Sequence, residues 1–298
     1  MEIAGIFPAL TTPYREDGSV AIERFMENVE RYNKTGLSGY VVLGSTGESV
    51  LLSSVEGESL LVAAKEKAAP GKLLIAGAGA ESTAETIARC KRAANLGYDV
   101  ALVKTPYYYK PAYKSEVYLR HYRSVADASP IPVLLYSVPI FTGVALDTPE
   151  ILALAQHPNI AGIKDSSGVI QRVVEVAAKA PQSFRVLTGG AGVVYPALAA
   201  GARGAILALA SALPERCVEI YESWKAGHHA DALAQQQQVA NASKTIASEN
   251  GIAGLKYAMD LRGYYGGLPR LPLLPLAEEK KQQIHKLMTA LEPVAATA

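Results

Sequence analysis

The sequence predicts an α/β protein: a closed (β/α)8 barrel, the TIM-barrel fold, with a C-terminal helical extension. Three observations carry that expectation. Eight short apolar runs with strand character recur along the chain, most of them separated by a stretch with helical periodicity. Their starts fall roughly 20–35 residues apart, about the length of one βα unit. A chain of 298 residues suits one large barrel with some sequence to spare,.

The expected strands are, in order, Gly5–Leu10, Gly39–Leu43, Leu73–Ala76, Asp99–Val103, Ile131–Tyr136, Ile160–Ile163, Phe184–Leu187 and Arg203–Leu209. Helical spacing between them is clearest at Glu85, Ile87, Ala88, Cys90, Lys91 and Ala94, a pattern that stops near Gly97 as a helix C-terminus should,. A helical array would need self-similar units, and the eight segments share no signature. An open doubly wound sheet would advertise a G-x-G-x-x-G turn, which Gly77-Ala78-Gly79 matches only in part,. After the eighth strand, Leu213–Ala226, Ala230–Ser248, Gly254–Arg262 and Ala277–Leu291 read as helices, with a Pro-rich turn at Leu268–Leu276. We therefore expect a barrel over residues 1–225 and a helical region over 226–298. The run Gln235–Gln238 reads as a solvated helix face, and Pro293–Ala298 as a frayed tail,.

Composition narrows the class. Apolar residues make up 49% and charged residues 19% of the chain, enough to bury a core and too apolar for disorder,. Lys plus Arg is 29 against 28 for Asp plus Glu, so nothing marks a nucleic-acid or anionic-membrane partner,. Cys90 and Cys217 have no C-x-x-C spacing, and a reducing compartment is expected,. The first residues lack a signal-peptide pattern and no apolar run approaches a membrane span,. The expected location is the cytoplasm.

In a barrel, chemistry sits just past the carboxyl ends of the strands. Those positions hold Thr11-Thr12, Ser45-Thr46, Thr105, Tyr136-Ser137, Lys164-Asp165-Ser166 and Thr188-Gly189-Gly190. Hydroxyls dominate, and the five histidines fall elsewhere, which argues against a metal site,. Lys164 follows the apolar run Ile160–Ile163. A lysine in an apolar mouth loses hydration, and that loss disfavours the ammonium form. The neutral amine can attack a ketone to form a Schiff base, unless the lysine simply snorkels to solvent. Lys104 also ends a strand, and spacing alone does not choose between the two; Lys256, in a helical stretch, is weaker. Tyr136 closes the fifth run, where its hydroxyl either enters the mouth to move protons or stays in the core bonded to backbone,. Gly44-Ser45-Thr46-Gly47-Glu48, by itself only a Gly-rich turn, offers amides and hydroxyls for a carboxylate, and Tyr107-Tyr108-Tyr109-Lys110-Pro111 suggests a wall, lid or subunit contact,.

These motifs, with Tyr136-Ser137-Val138-Pro139 and Gly162-Ile163-Lys164-Asp165, occur in an order and at separations that resemble one family. It is the dihydrodipicolinate synthase and N-acetylneuraminate lyase family of pyruvate-dependent class I aldolases, and the resemblance spans nearly the whole chain. It implies a barrel with C-terminal helices, a homotetramer, a covalent imine and no added cofactor. It selects Lys164 over Lys104 as the imine-forming lysine. It further implies that Tyr136 transfers protons, that Ser45 stands in for the usual threonine of a hydroxyl relay, and that Tyr108 is the relay tyrosine lent by a neighbouring subunit. Thr46 matches the holder of the 2-oxo acid carboxylate, and Gly189 and Ile206 match positions lining the pyruvate pocket.

One departure bears on specificity. Dihydrodipicolinate synthases usually carry a carboxylate-binding arginine where this chain has Phe141, which cannot pair with a carboxylate,. The surrounding sequence, together with Lys164-Asp165-Ser166 and Gly263-Tyr264-Tyr265-Gly266-Gly267, is similar to 4-hydroxy-2-oxoglutarate aldolase. In that relative a residue matching Ser166 contacts the distal part of the substrate. The resemblance therefore implies first a lyase cleaving 4-hydroxy-2-oxoglutarate to pyruvate and glyoxylate. Condensation of pyruvate with aspartate semialdehyde is the second expectation, with sugar-acid lyases and dehydratases of the family behind it. A non-catalytic binder of 2-oxo acids is the reading from another class, and it would leave no covalent pyruvyl adduct after borohydride.

Overall fold

The computed structural model describes residues 2–291. At its centre are β1 (Gly5–Pro8), β2 (Gly39–Val42), β3 (Leu73–Gly77), β4 (Val100–Lys104), β5 (Val133–Ser137), β6 (Ile160–Asp165), β7 (Arg185–Thr188) and β8 (Gly204–Leu207). Every expected strand is present with its ends within two residues. The strands are parallel and pair in the order β1-β8-β7-β6-β5-β4-β3-β2. An isolated bridge between Ala9 and Val41 joins β1 to β2, with the Leu10 amide donating to the Val41 carbonyl at 2.9 Å. That bridge closes the ring.

Around the strands lie α1 (Ile22–Tyr32), α2 (Ser54–Lys67), α3 (Thr83–Asn95), α4 (Ser115–Ala128), α5 (Pro139–Thr142) and α6 (Thr148–Leu154). They are followed by α7 (Ile170–Lys179), α8 (Val194–Ala199) and α9 (Pro214–Lys225). Local sequence sets their starts. Ser53 accepts the Glu56 amide at 3.2 Å while Glu56 accepts the Ser53 amide at 2.9 Å, a reciprocal cap on α2,. Inside the barrel, Phe7, Val41, Ile75, Leu102, Leu134, Leu187 and Ile206 form one apolar cluster that also takes in Tyr136. This packed interior leaves the chemistry to the strand ends.

Three helices complete the described chain: α10 (His229–Ala242), α11 (Gly251–Leu261) and α12 (Glu278–Leu291). Val239, Leu255, Met259 and Ile284 from these helices share a core cluster with Leu10, Tyr32 and Leu213. Two expectations need correction. The helix expected over Ala230–Ser248 is α-helical only to Ala242 and continues as a π-helical turn over Ser243–Ser248, and its successor begins at Gly251 rather than Gly254. Within the glutamine run, Gln236 is buried: its amide donates to the Ala191 carbonyl at 2.9 Å and accepts the Tyr195 amide at 2.8 Å. A polar side chain can face a core when backbone groups there need partners. Pro293–Ala298 lies outside the described residues. Among the described residues, no helix is long and apolar enough to cross a membrane.

Candidate active site

Lys164 lies on β6 opposite Tyr136 of β5, which in turn lies opposite Lys104 of β4. Register partners in a parallel sheet share a face, and this row shares the alternation of Leu102 and Leu134 inside the barrel,. Lys164 is only 3% exposed, and its Nζ lies 4.1 Å from the centroid of the Tyr136 ring. The Tyr136 hydroxyl is 3.3 Å from Oγ of Ser45, so a hydroxyl chain begins beside the amine.

Lys104, Lys164 and Lys256 differ in their partners; the last two are buried and Lys104 is half-buried. Lys256 meets Oε1 of Glu48 at 2.5 Å and donates to the Leu268 carbonyl at 2.9 Å. Lys104 has Oε1 of Glu81 at 3.6 Å. Among the described residues, no carboxylate lies within ion-pair distance of Lys164, whose contact is an aromatic face. A buried amine without a carboxylate partner is the one best suited to act as a nucleophile.

Ser45 and Thr46 sit in a turn held under strain. Leu43 and Glu48, at φ 60° and 53°, are the two non-glycine residues with left-handed backbone among those described, and they flank this turn. Such conformations cost on the order of 1–3 kcal/mol each and persist where the surroundings enforce them. Here Glu48 accepts the Arg270 amide at 2.8 Å besides pairing with Lys256, and Thr12 donates to the Gly47 carbonyl at 2.6 Å. Arg270 also grips Glu56 at 2.5 Å and 3.0 Å and donates to the Leu51 and Gly18 carbonyls. That guanidinium pulls the Glu56 carboxyl down to about 2.

Past β6, Ser166 packs against Gly189: a Cβ on Gly189 would collide with Oγ of Ser166. The Gly189 amide donates to the Asp165 carbonyl at 2.7 Å and so ties the ends of β6 and β7. Ile206 faces the interior from β8 beside Tyr136 and Leu187. A cavity of about 420 Å³ opens at this end, its wall including Ser45, Lys104, Tyr107, Tyr136, Phe141 and Thr142. It continues outward to Ser49–Ser54 and the α3 residues Glu85, Arg89 and Arg92. Lys164, Thr46, Ser166, Gly189 and Ile206 are not part of this wall. Phe141, on α5, is 64% exposed at the rim. Tyr108 is not brought to the relay within one chain: it is 73% exposed, with its ring edge-on to Tyr109. Its loop is pinned by Glu81, whose Oε2 accepts the amides of both Tyr107 and Tyr108 at 2.9 Å. Among the described residues, no group of His, Cys, Asp and Glu could hold a metal ion.

The model of the dihydrodipicolinate synthetase family matches residues 2–291. The chain belongs to this family. It is accordingly a carbon–carbon lyase of the pyruvate-dependent class I aldolase kind. It is 36% identical over 288 residues to the 4-hydroxy-tetrahydrodipicolinate synthase of an Exiguobacterium strain, covering 97% of each chain. To the enzyme of the same name from Acidiphilium cryptum it is 38% identical over 290 residues, covering 96% of this chain and 98% of the other. The crystal structure of dihydrodipicolinate synthase DapA-2 from Bacillus anthracis superposes with a TM-score of 0.93 at 28% identity, over 98% of this chain and all of that one. The Acinetobacter baumannii synthase, solved with pyruvate, gives 0.91 at 32% identity, over 97% and 98% of the two chains. These relatives carry the name of the second expected activity, and none of them is a 4-hydroxy-2-oxoglutarate aldolase.

Sequence reasoning missed two elements of this family member's site. Glu81 carries no motif. The Glu48–Lys256 pair had a visible signal, because a lone lysine in the apolar stretch Gly254-Leu255-Lys256-Tyr257-Ala258-Met259 calls for a buried counter-charge,.

Proposed function

We propose that Lys164 forms an imine with pyruvate and that the derived enamine joins, or is released from, an aldehyde. The observation that carries this reading is the unpaired Lys164 amine on the Tyr136 ring, with the Tyr136 hydroxyl leading to Ser45. The amine attacks C2 of pyruvate, and the carbinolamine oxygen leaves as water on receiving a proton through Tyr136. Loss of a C3 proton gives the enamine, whose C3 attacks the aldehyde carbon; the aldehyde oxygen takes up a proton, and hydrolysis returns the amine. No added cofactor enters these steps. Thr46 holds the pyruvate carboxylate, Gly189 and Ile206 line the pyruvate pocket, and Ser166 contacts the distal part of the substrate. Tyr108 completes the relay from a second copy, which its exposure in the single chain supports, in a homotetramer.

The names of the relatives support aspartate semialdehyde as the aldehyde and 4-hydroxy-tetrahydrodipicolinate as the product. Phe141 favours a second reading, cleavage of 4-hydroxy-2-oxoglutarate, because the rim position where synthases usually present an arginine is apolar here. Loss of the arginine contact that synthases make with the carboxylate of aspartate semialdehyde weakens that aldehyde by roughly ten- to a hundredfold. The test has two arms. Borohydride with pyruvate should leave a pyruvyl adduct on Lys164, and an adduct on Lys104, or none, removes the imine reading. Rates of pyruvate release from 4-hydroxy-2-oxo acids, set against condensation with aspartate semialdehyde, then decide the acceptor.

A further inference from the structure

We propose that Lys104 is the specificity-determining cation of this site, recognising a second carboxylate at the end of the substrate away from the imine. The proposal rests on the imine reading and holds for either acceptor, since both substrates carry a distal carboxylate.

Lys104, Tyr136 and Lys164 occupy one register row on three consecutive strands. With strands about 4.8 Å apart, the two lysine Cα atoms are roughly 10 Å from one another, with the relay tyrosine between them. Both lysines stand at the same end of the barrel with Tyr136 between them, and the distal carboxylate of a substrate joined to Lys164 is proposed to lie on the Lys104 side of that tyrosine. Lys104 lines the same cavity as Tyr136 and Phe141.

Its ammonium is also underused. The side chain is only 17% exposed, yet the one carboxylate within ion-pair distance among the described residues is Glu81, at 3.6 Å, beyond hydrogen-bond reach,. The other Glu81 oxygen is occupied by the Tyr107 and Tyr108 amides, so the loop holds that carboxylate back. The Tyr107 ring lies 5.0 Å from the Lys104 nitrogen. Burial pulls this ammonium below the ordinary lysine range, and an incoming anion relieves that cost,. The two arginines on the outer wall are already engaged, Arg89 with Glu85 at 2.8 Å and Arg92 with Glu58 at 2.9 Å. With Phe141 at the rim, Lys104 is a cation of the cavity wall whose ion pair is incomplete.

The test traps imines on Lys164 with borohydride at graded concentrations of pyruvate, 2-oxopentanoate and 2-oxoglutarate. The last two differ by a distal carboxylate, and neither needs a second substrate. The wild-type protein should reach half-labelling with 2-oxoglutarate at roughly ten- to a hundredfold lower concentration than with 2-oxopentanoate. Lys104→Met should erase that preference and leave pyruvate labelling unchanged, which also shows that the variant is folded. Lys104→Arg should keep most of the preference, and Lys104→Gln repeats the loss should the methionine variant not fold. No wild-type preference, or a preference that survives in Lys104→Met, overturns the proposal while leaving the imine reading intact. A loss confined to Lys110→Met, the loop cation that reaches Gly143 beside Phe141, overturns it as well. Absence of any adduct in the wild type removes the imine reading and this proposal with it.

Discussion

The amine of Lys164 rests on the face of the Tyr136 ring, 4.1 Å from its centroid, while the hydroxyl of the same ring points to Ser45 at 3.3 Å. Under the proposed function this side chain has two separable tasks: its ring packs on the Lys164 amine and its oxygen passes protons. Tyr136→Phe keeps the first and removes the second. Turnover should fall by roughly 10²–10⁴, the usual scale for losing a general acid–base group, with pyruvate still trapped by borohydride after long incubation. Lys164→Ala should abolish turnover and trapping together, with the far-UV circular dichroism unchanged. A Tyr136→Phe rate near wild type would mean that another group carries the protons.

The Glu48–Lys256 pair is enclosed, so breaking it leaves an uncompensated charge. Lys256→Met should destabilise the fold by about 3–5 kcal/mol in urea unfolding, against much less for Lys256→Met combined with Glu48→Gln. Because Glu48 ends the strained turn, the double variant should recover stability without recovering activity. Equal stability losses in the single and double variants would show that packing of the lysine stem, rather than its charge, matters.

Gly189→Ala forces a methyl group onto the Ser166 hydroxyl. Overpacking of this kind costs about 1–3 kcal/mol, and displacement of Ser166 at the strand end should raise KM for the 2-oxo acid. Adding Ser166→Ala should recover part of both losses. Additive losses in this double-mutant cycle would place the two residues out of contact.

Burial lowers the His121 imidazolium from 6.5 to about 4; Glu81 opposes that shift and Lys104 adds to it. Nδ1 of the ring is 2.9 Å from the Thr83 hydroxyl, and Nε2 has no hydrogen-bond partner among the described residues. The unfolded chain takes up this proton near pH 6.5 and the folded chain only near 4. Stability from this group is therefore complete above 6.5, declines as pH falls from 6.5 to 4, and is flat below. The decline should amount to about 3 kcal/mol at most. His121→Asn should flatten the wild-type slope between pH 6.5 and 4.5 in urea unfolding; an unchanged slope would assign it to other groups.

The barrel was legible because its strands are covered on both faces. Ile160–Ile163 or Val100–Val103 need near-continuous apolar runs, and Gly or a polar residue marks where each run ends,. Lys164, Tyr136 and Ser45 became candidates for the same reason, standing at the end of or just past such runs, but Lys104 stands there too, and only the family resemblance chose between the two lysines. What joins across long distances was not. Nothing near Tyr107 announces that Glu81 takes its amide, and nothing near Ala191 announces Gln236. Gln236 looks like surface because glutamine usually is surface, and only the location of unpaired backbone groups reveals the exception. Tyr108, exposed in the single chain, marks another limit: the proposed role in a neighbouring copy would leave no trace in the contacts of its own chain.

The lock on the Ser45–Thr46 turn also has an order in time. Its carboxylate, Glu48, is synthesised early, while its counter-charge, Lys256, and the backbone amide of Arg270 arrive near the end. A nascent chain that has already laid down its first strands still lacks the groups that make a buried, left-handed Glu48 tolerable. The Ser45–Thr46 turn therefore cannot set during translation with the N-terminal units, although such units ordinarily fold first. A chain ending before α11 would lack both groups that hold Glu48 and hence the lock on the Ser45–Thr46 turn.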